Sequence, residues 1–205
     1  MNNIPVFALG FLAQGFFSAR MLVQWIMSER AKRSLSPTVY WIFSLAGSTL
    51  LFVYGYLRDD FSIIFGQFIS YYVYIWNLNI KGVWRRIPVA ARAAIASVPL
   101  AALGMMLSDA SAFVQAFFHN RSVPLWLLVF GSAGQFIFTI RFVYQWYYSR
   151  RRQASVLPVG FWVISLTGSA IIVAYACFRL DPVLILGQSV GFVTYSRNIV
   201  LCLRK

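Results

Sequence analysis

Three arginines stand inside stretches that are otherwise apolar: Arg20, Arg141 and Arg197. Amides and phenols recur around them at helical spacing. Gly10, Gln14, Phe17, Arg20 and Gln24 are separated by 4, 3, 3 and 4 residues, and Gly131, Gln135, Phe138, Arg141 and Gln145 repeat the stripe. Such spacing stacks side chains on one side of a helix. Gln67, Tyr71, Tyr74 and Asn77 form another stripe, answered by Gln188, Phe192, Tyr195 and Asn198. A guanidinium offers parallel N–H donors to a phosphate, and amides and phenols suit sugar hydroxyls. An arginine deep in an apolar helix costs about 2.5–3.5 kcal/mol on insertion scales and usually faces a cavity or a partner. Every basic residue placed at such depth is Arg and none is Lys. The five acids lie elsewhere, so these arginines are expected to lack protein counter-charges and to meet an anionic ligand. Snorkelling toward the inner surface is the competing reading.

The candidate ligand-binding set is Gln14, Arg20, Gln24, Gln67, Tyr74, Asn77, Gln135, Arg141, Gln145, Gln188, Tyr195, Arg197 and Asn198. Within it, Arg141 and Arg197 are the expected contacts to a lipid phosphate. Ser44, Gly47 and Ser48, with Ser165, Gly168 and Ser169, read instead as interhelical glue. Asp60 and Asp181 each open a helix, where an acid caps and complements the dipole. His119 is the single histidine and is read as solvated. No carboxylates pair at depth, no Cys/His cluster has metal-ligand spacing, and no phosphate-loop or dinucleotide fingerprint occurs. No catalytic residue, metal or cofactor is expected. Cys177 and Cys202 sit in apolar runs and read as buried thiols.

The elements that hold these residues follow from composition and repetition. Hydrophobic residues make up 60% of the 205 and charged residues 11%, with mean hydropathy +0.70. Soluble domains average roughly 45–50% apolar and about 25% charged. A soluble single-domain enzyme and a disordered chain are both excluded, and an integral membrane protein remains. The net charge of +13 has no soluble basic face to carry it, so nucleic acid is not an expected partner. The sequence also matches itself, without gaps, at an offset of 121 residues: Gln24-Trp25 falls on Gln145-Trp146, Pro37 on Pro158, Trp41 on Trp162 and Asn77 on Asn198. These are residue types that apolar low complexity does not match by chance.

Each repeat holds three apolar stretches near the length of about 20 residues that crosses a bilayer. They lie near 5–27, 38–57 and 61–80, then 122–148, 158–178 and 182–203, and Pro88–Ser108 suits a seventh helix. The first stretch lacks a basic n-region and a cleavage site, so it reads as a retained span. The expected fold is an all-α membrane protein of seven helices, as repeat 1–80, linker 81–121 with its own helix, and repeat 122–205. With the N-terminus outside and the C-terminus in the cytoplasm, twelve basic residues fall on the inner side, among them Arg30, Lys32, Arg33 and Arg150–Arg152. Only Arg58, Arg121 and Arg179 fall on the outer side, beside Asp59, Asp60, Asp109 and Asp181. That asymmetry follows the positive-inside rule. An odd linker helix gives both repeats the same orientation, the parallel arrangement of SWEET transporters.

The repeated string is Gln14…Gln24-Trp25, Ser34…Pro37…Trp41…Ser44-Leu45…Gly47-Ser48 and Gly66-Gln67…Tyr74…Asn77, and the second copy closes on Tyr195-Ser196-Arg197-Asn198. It resembles the lipid A biosynthesis N-terminal domain family, in tandem. The first copy departs from the closing Tyr-x-Arg-Asn at Trp76. The resemblance implies kinship in fold with PQ-loop, SWEET and semi-SWEET transporters, and a place in bacterial inner-membrane glycolipid synthesis. The soluble nucleotide-sugar transferase part of such synthases is not expected here. Three readings stay open. One is a transporter or flippase for a polyprenyl-phosphate-linked sugar or lipid A intermediate. Another is a non-transporting membrane partner of a glycosyltransferase, and the weakest is a SWEET-like small-solute carrier.

Overall fold

The computed structural model describes residues 4–57, 61–107, 124–180 and 182–203. His119, the acids Asp59, Asp60, Asp109 and Asp181, and Arg58, Arg121, Arg204 and Lys205 lie outside the described residues. Among those described there are seven α-helices and no strand. They are α1 (Ile4–Ala31), α2 (Thr38–Leu57), α3 (Phe61–Ile80), α4 (Val89–Leu107), α5 (Leu125–Arg151), α6 (Val159–Arg179) and α7 (Pro182–Leu203), with a short 3-10 turn, Trp84–Arg86, before α4. Three contain stretches long and apolar enough to cross a membrane: Pro5–Ala31, Thr38–Leu57 and Val159–Phe178. The apolar stretch of α4, Val89–Met105, is shorter.

Both long first helices outrun their apolar sequence, since α1 ends on Ala31 and α5 on Arg151. What stops them is a left-handed residue at the same repeat position, Lys32 at φ 52° and Gln153 at φ 49°. The turn closes identically in both: Arg33 N–H donates to Ser28 O at 3.2 Å and Ala154 N–H to Ser149 O at 3.2 Å. These bonds satisfy carbonyls that a helix end otherwise leaves open.

The chain forms two compact units: Met1–Leu22 with Thr38–Asn120, and Val23–Pro37 with Arg121–Lys205. In the first, α2 packs on α3 and both touch α4. Pro99 lies inside α4, and a proline cannot donate to the carbonyl four residues back, here Ile95. The Tyr71 hydroxyl fills that vacancy, donating to Ile95 O at 2.9 Å, while Tyr72 donates to Ala96 O at 3.2 Å. In the second unit α6 packs on both α5 and α7. Gly168 sets that approach, because a Cβ there would stand 2.8 Å from the backbone nitrogen of Phe138. Small residues at such a crossing let two helix backbones come together.

The cysteines correct one expectation. Cys177 is exposed and Cys202 half-buried, and both are free thiols. Apolar sequence implies burial in a water-soluble protein, but a lipid-solvated helix turns apolar side chains outward.

Candidate functional site

Each unit encloses one arginine. Arg20, on α1, is 6% exposed. It donates through Nη1 to Ser44 Oγ at 2.8 Å and Tyr74 OH at 3.3 Å. Its guanidinium carbon lies 4.5 Å from the centre of the Phe17 ring, 5.2 Å from Tyr40 and 5.8 Å from Tyr74. Arg141, on α5, is 4% exposed and donates through Nη1 to Tyr195 OH at 3.2 Å. Its rings are Phe138 at 3.4 Å, Phe142 at 4.7 Å, Phe161 at 5.6 Å and Tyr195 at 5.8 Å. Behind each arginine stands a buried tryptophan, Trp41 against Tyr74 and Trp162 against Tyr195, both with ring centres 6.1 Å apart.

The charge on Arg141 is poorly compensated. Cation–π contacts are worth about 0.5–2 kcal/mol each, and a bond to a neutral phenol is weaker than one to a carboxylate. No carboxylate faces Arg141 among the described residues, and its buried Nε finds no hydrogen-bond partner there. The arrangement holds a guanidinium in a buried aromatic cage, with its Nε–H unpaired among the described residues. An oxyanion would complete it.

The amides play a different part. In both repeats the helical glutamine pins the following loop. Gln24 donates to Ser28 Oγ at 2.9 Å and Leu35 O at 3.2 Å, and Gln145 donates to Ser149 Oγ at 2.8 Å and Val156 O at 2.9 Å. The serines accept from the backbone N–H of Leu35 and Val156 at 3.0 and 3.1 Å. Both clamps belong to the second unit, where Gln24 and Asn198 also exchange two bonds, Nε2 to Oδ1 at 2.8 Å and Nδ2 to Oε1 at 3.1 Å. Asn198 donates as well to Thr194 O at 2.9 Å. Ser34 joins them, donating to Asn198 Oδ1 at 3.2 Å and accepting from Trp162 Nε1 at 3.0 Å. Both amide hydrogens of Gln24 and of Asn198 are thus spent inside the protein.

Among the other expected site residues, Tyr74 and Tyr195 stand on the arginines, and Asn77 donates to Val73 O at 2.8 Å. Gln67 and Gln188 accept from Ser48 and Ser169 at 3.0 Å each, tying α2 to α3 and α6 to α7. Gln14 and Gln135 are exposed and are not brought to the arginines. Ten residues of helix fall roughly 80° short of whole turns, so a stripe running from Gln14 to Gln24 drifts off one face. Arg197 requires a correction: it has a counter-charge. Its Nε donates to Glu29 Oε2 at 2.8 Å and its Nη2 to the other carboxylate oxygen. Sequence reasoning placed all five acids away from these arginines, whereas Arg197 on α7 meets Glu29 on α1.

Sequence reasoning missed Ser28 and Ser149, although they coincide at the repeat offset. It also missed the loop carbonyls of Leu35 and Val156, which carry no side-chain signal.

Outside the loop, Lys81 follows α3, and burial pushes its ammonium below the ordinary lysine value.

Fold and site together define a helical protein of membrane character, built from two sequence repeats that each bury an arginine among aromatic rings. The chain belongs to the Lipid A Biosynthesis N-terminal domain family, whose model matches it twice, at residues 9–79 and 130–200. The two matches begin 121 residues apart, the offset of the internal repeat. The chain is similar to the lipid-A-disaccharide synthase of Chlamydia abortus, 28% identical over 216 residues, with 98% of this chain and 33% of the relative covered. The synthase of Chlamydia pneumoniae is 29% identical over 204 residues, covering 96% and 33%. That of Chlamydia trachomatis serovar D is 25% identical over 211 residues, covering 98% and 34%. The chain spans about a third of the length of these curated relatives. No solved structure matches it.

Proposed function

We propose that the chain is a multi-pass inner-membrane module of envelope glycolipid synthesis that binds a phosphate-bearing, lipid-linked saccharide and moves it across the bilayer. The observation that supports this most is Arg141, buried, caged by rings, and without a carboxylate among the described residues. A lipid phosphate would supply the missing anion, taken through parallel N–H donors in a low-dielectric setting. Arg20 holds the equivalent place in the first repeat. In this reading seven helices span as parallel three-helix repeats around a linker helix, in the SWEET manner, with the N-terminus outside and the C-terminus in the cytoplasm. The amide clamps of Gln24 and Gln145 are the scaffold at the basic end. Because Arg141 is occluded, loading requires helices of its unit to part.

The relatives favour a second reading. A chain named lipid-A-disaccharide synthase carries this module as a third of its length, which suits a membrane partner that presents lipid substrate to a glycosyltransferase without moving it. Two measurements on the full chain separate the readings. Mass spectrometry of co-purified lipid should find a glycolipid or a polyprenyl phosphate under both. Proteoliposomes holding a fluorescent derivative of that lipid should show protein-dependent translocation under the first only. Co-purification of neutral phospholipid alone contradicts both.

A further inference from the structure

The end of α5 carries a second arrangement of arginine on aromatic rings, and this one is exposed. Arg150 lies 5.3 Å from the ring centre of Trp146, Arg151 4.7 Å from Tyr147, and Arg152 4.9 Å from Tyr148. Each cation thus rests on the ring four residues before it, one helical turn back. All three arginines are exposed, and none has a carboxylate partner among the described residues.

The first repeat does not share this device. Where the second has Trp146-Tyr147-Tyr148 and Arg150-Arg151-Arg152, the first has Trp25-Ile26-Met27 and Glu29-Arg30-Ala31. Orientation by positive charge needs no rings beneath the cations, and the first repeat supplies that charge with Arg30, Lys32 and Arg33, which follow Ile26, Ser28 and Glu29 by four residues. Both repeats carry three cations here, but only the second makes all three arginine and sets them on rings, so the tyrosines and the third arginine serve something further.

Position indicates what. Val159, seven residues beyond Arg152, begins a stretch apolar enough to cross a membrane, so the triad lies within one short loop of the place where that span leaves lipid. Trp and Tyr collect at this headgroup level. A ring contact engages the face of a guanidinium and leaves its N–H edge for a phosphate, which accepts two parallel bonds.

We propose that Arg150, Arg151 and Arg152 on their aromatic shelf form a binding surface for the phosphate of anionic phospholipid headgroups. The surface is distinct from the cage of Arg141, which lies roughly 14 Å back along the helix. It does not depend on what that cage binds.

The test uses the full chain in neutral detergent, titrated with phosphatidylglycerol or with phosphatidylcholine of the same acyl chains and read by native mass spectrometry. Phosphatidylglycerol should be preferred. R150Q/R151Q/R152Q should weaken it on the order of a hundredfold, from about fivefold per charge at a headgroup surface, and leave phosphatidylcholine unchanged. W146L/Y147L/Y148L should lose part of that affinity with every charge in place. R85Q/R86Q, on the exposed 3-10 turn, should change it no more than a few-fold. R150K/R151K/R152K keeps the charge and serves if the glutamine variant fails to fold; it too should bind more weakly, having lost the forked donors. Four results overturn the proposal: unchanged affinity in the glutamine or the lysine triple, an equal loss per charge in R85Q/R86Q, displacement of the lipid by inorganic phosphate, or tighter binding of polyglutamate than of phosphatidylglycerol.

Discussion

Replacing Asn198 with leucine removes one half of a buried reciprocal amide pair. Gln24 and Asn198 are both fully buried, and the bonds between them measure 2.8 and 3.1 Å. The leucine leaves the Gln24 carbonyl oxygen without that donor, and an orphaned buried polar atom costs about 1–3 kcal/mol. Interhelical hydrogen bonds in membranes run lower, averaging about 0.6 kcal/mol with a maximum near 1.7. Two bonds and a shared Ser34 contact place the expected loss at about 2 kcal/mol. The sharper quantity is the coupling. Gln24→Leu also releases Ser28 and Leu35, but the double variant shares that loss, so it cancels in a double-mutant cycle. With both amides gone neither orphans the other, and the double variant should recover about 1–2 kcal/mol of the summed single losses. Additivity between independent sites holds to about 0.3–0.5 kcal/mol, so the coupling is resolvable. The assay is reversible unfolding of the full chain in mixed detergent micelles. Single effects that add within about 0.5 kcal/mol would refute the reciprocal pair.

Gly168→Ala should cost about 1–3 kcal/mol, since its Cβ would meet the Phe138 backbone at 2.8 Å. Gly15→Ala, with nothing within 4 Å, should gain roughly 0.5–1 kcal/mol from helix propensity; equal Tm shifts for the two would contradict the α5–α6 approach. Glu29→Gln removes an ion pair whose side chains are 32% and 44% exposed, so Tm should stay within about 2 °C of wild type, and a larger drop would show the pair to be structural. Burial lowers the Lys81 pKa from 10.5, so the folded chain binds fewer protons than the unfolded one between the lowered value and 10.5. Its stability should therefore rise with pH across that window, with the penalty fully present below it. Lys81→Met should be more stable at pH 7 and should lose Lys81's share of the alkaline gain, as Tm measured at pH 7 and just above pH 10.5 would reveal; an unchanged gain in the variant contradicts this role.

Helix bodies were legible because spans and repeats are written in local pattern. The segments 38–57, 61–80 and 182–203 coincide with α2, α3 and α7. The ends of α1 and α5 were not, because Lys32 and Gln153 adopt left-handed backbone without being glycine, and side-chain type gives no warning. Arg20 and Arg141 were legible as buried cations because insertion cost alone demands a partner. The partners were less so: Tyr74 and Tyr195 lie 54 residues from their arginines, and only their place in the polar stripe hinted at the contact. Glu29 and Arg197, 168 residues apart, share no local pattern at all. Gln24 and Gln145 are buried while Gln14 and Gln135 are exposed, and sugar recognition and loop clamping use the same donors. What separates them is the Leu35 carbonyl, a backbone atom that any residue would supply.

The central claim is that Arg141 is a phosphate site, and its most direct measurement compares wild type with Arg141→Lys and Arg141→Met. Full-length protein is purified in mild detergent, and the glycolipid or polyprenyl phosphate retained per folded chain is quantified by mass spectrometry, apart from anionic phospholipid. The lysine keeps the charge but loses the forked donors, and the methionine loses both. The retained glycolipid or polyprenyl phosphate should fall about tenfold or more in Arg141→Lys, from a charge-assisted bond worth about 1.5–3 kcal/mol, and further in Arg141→Met, while folded yield drops less. Wild-type lipid retention in both variants, with normal folding, would contradict the assignment and leave Arg141 as a caged structural cation.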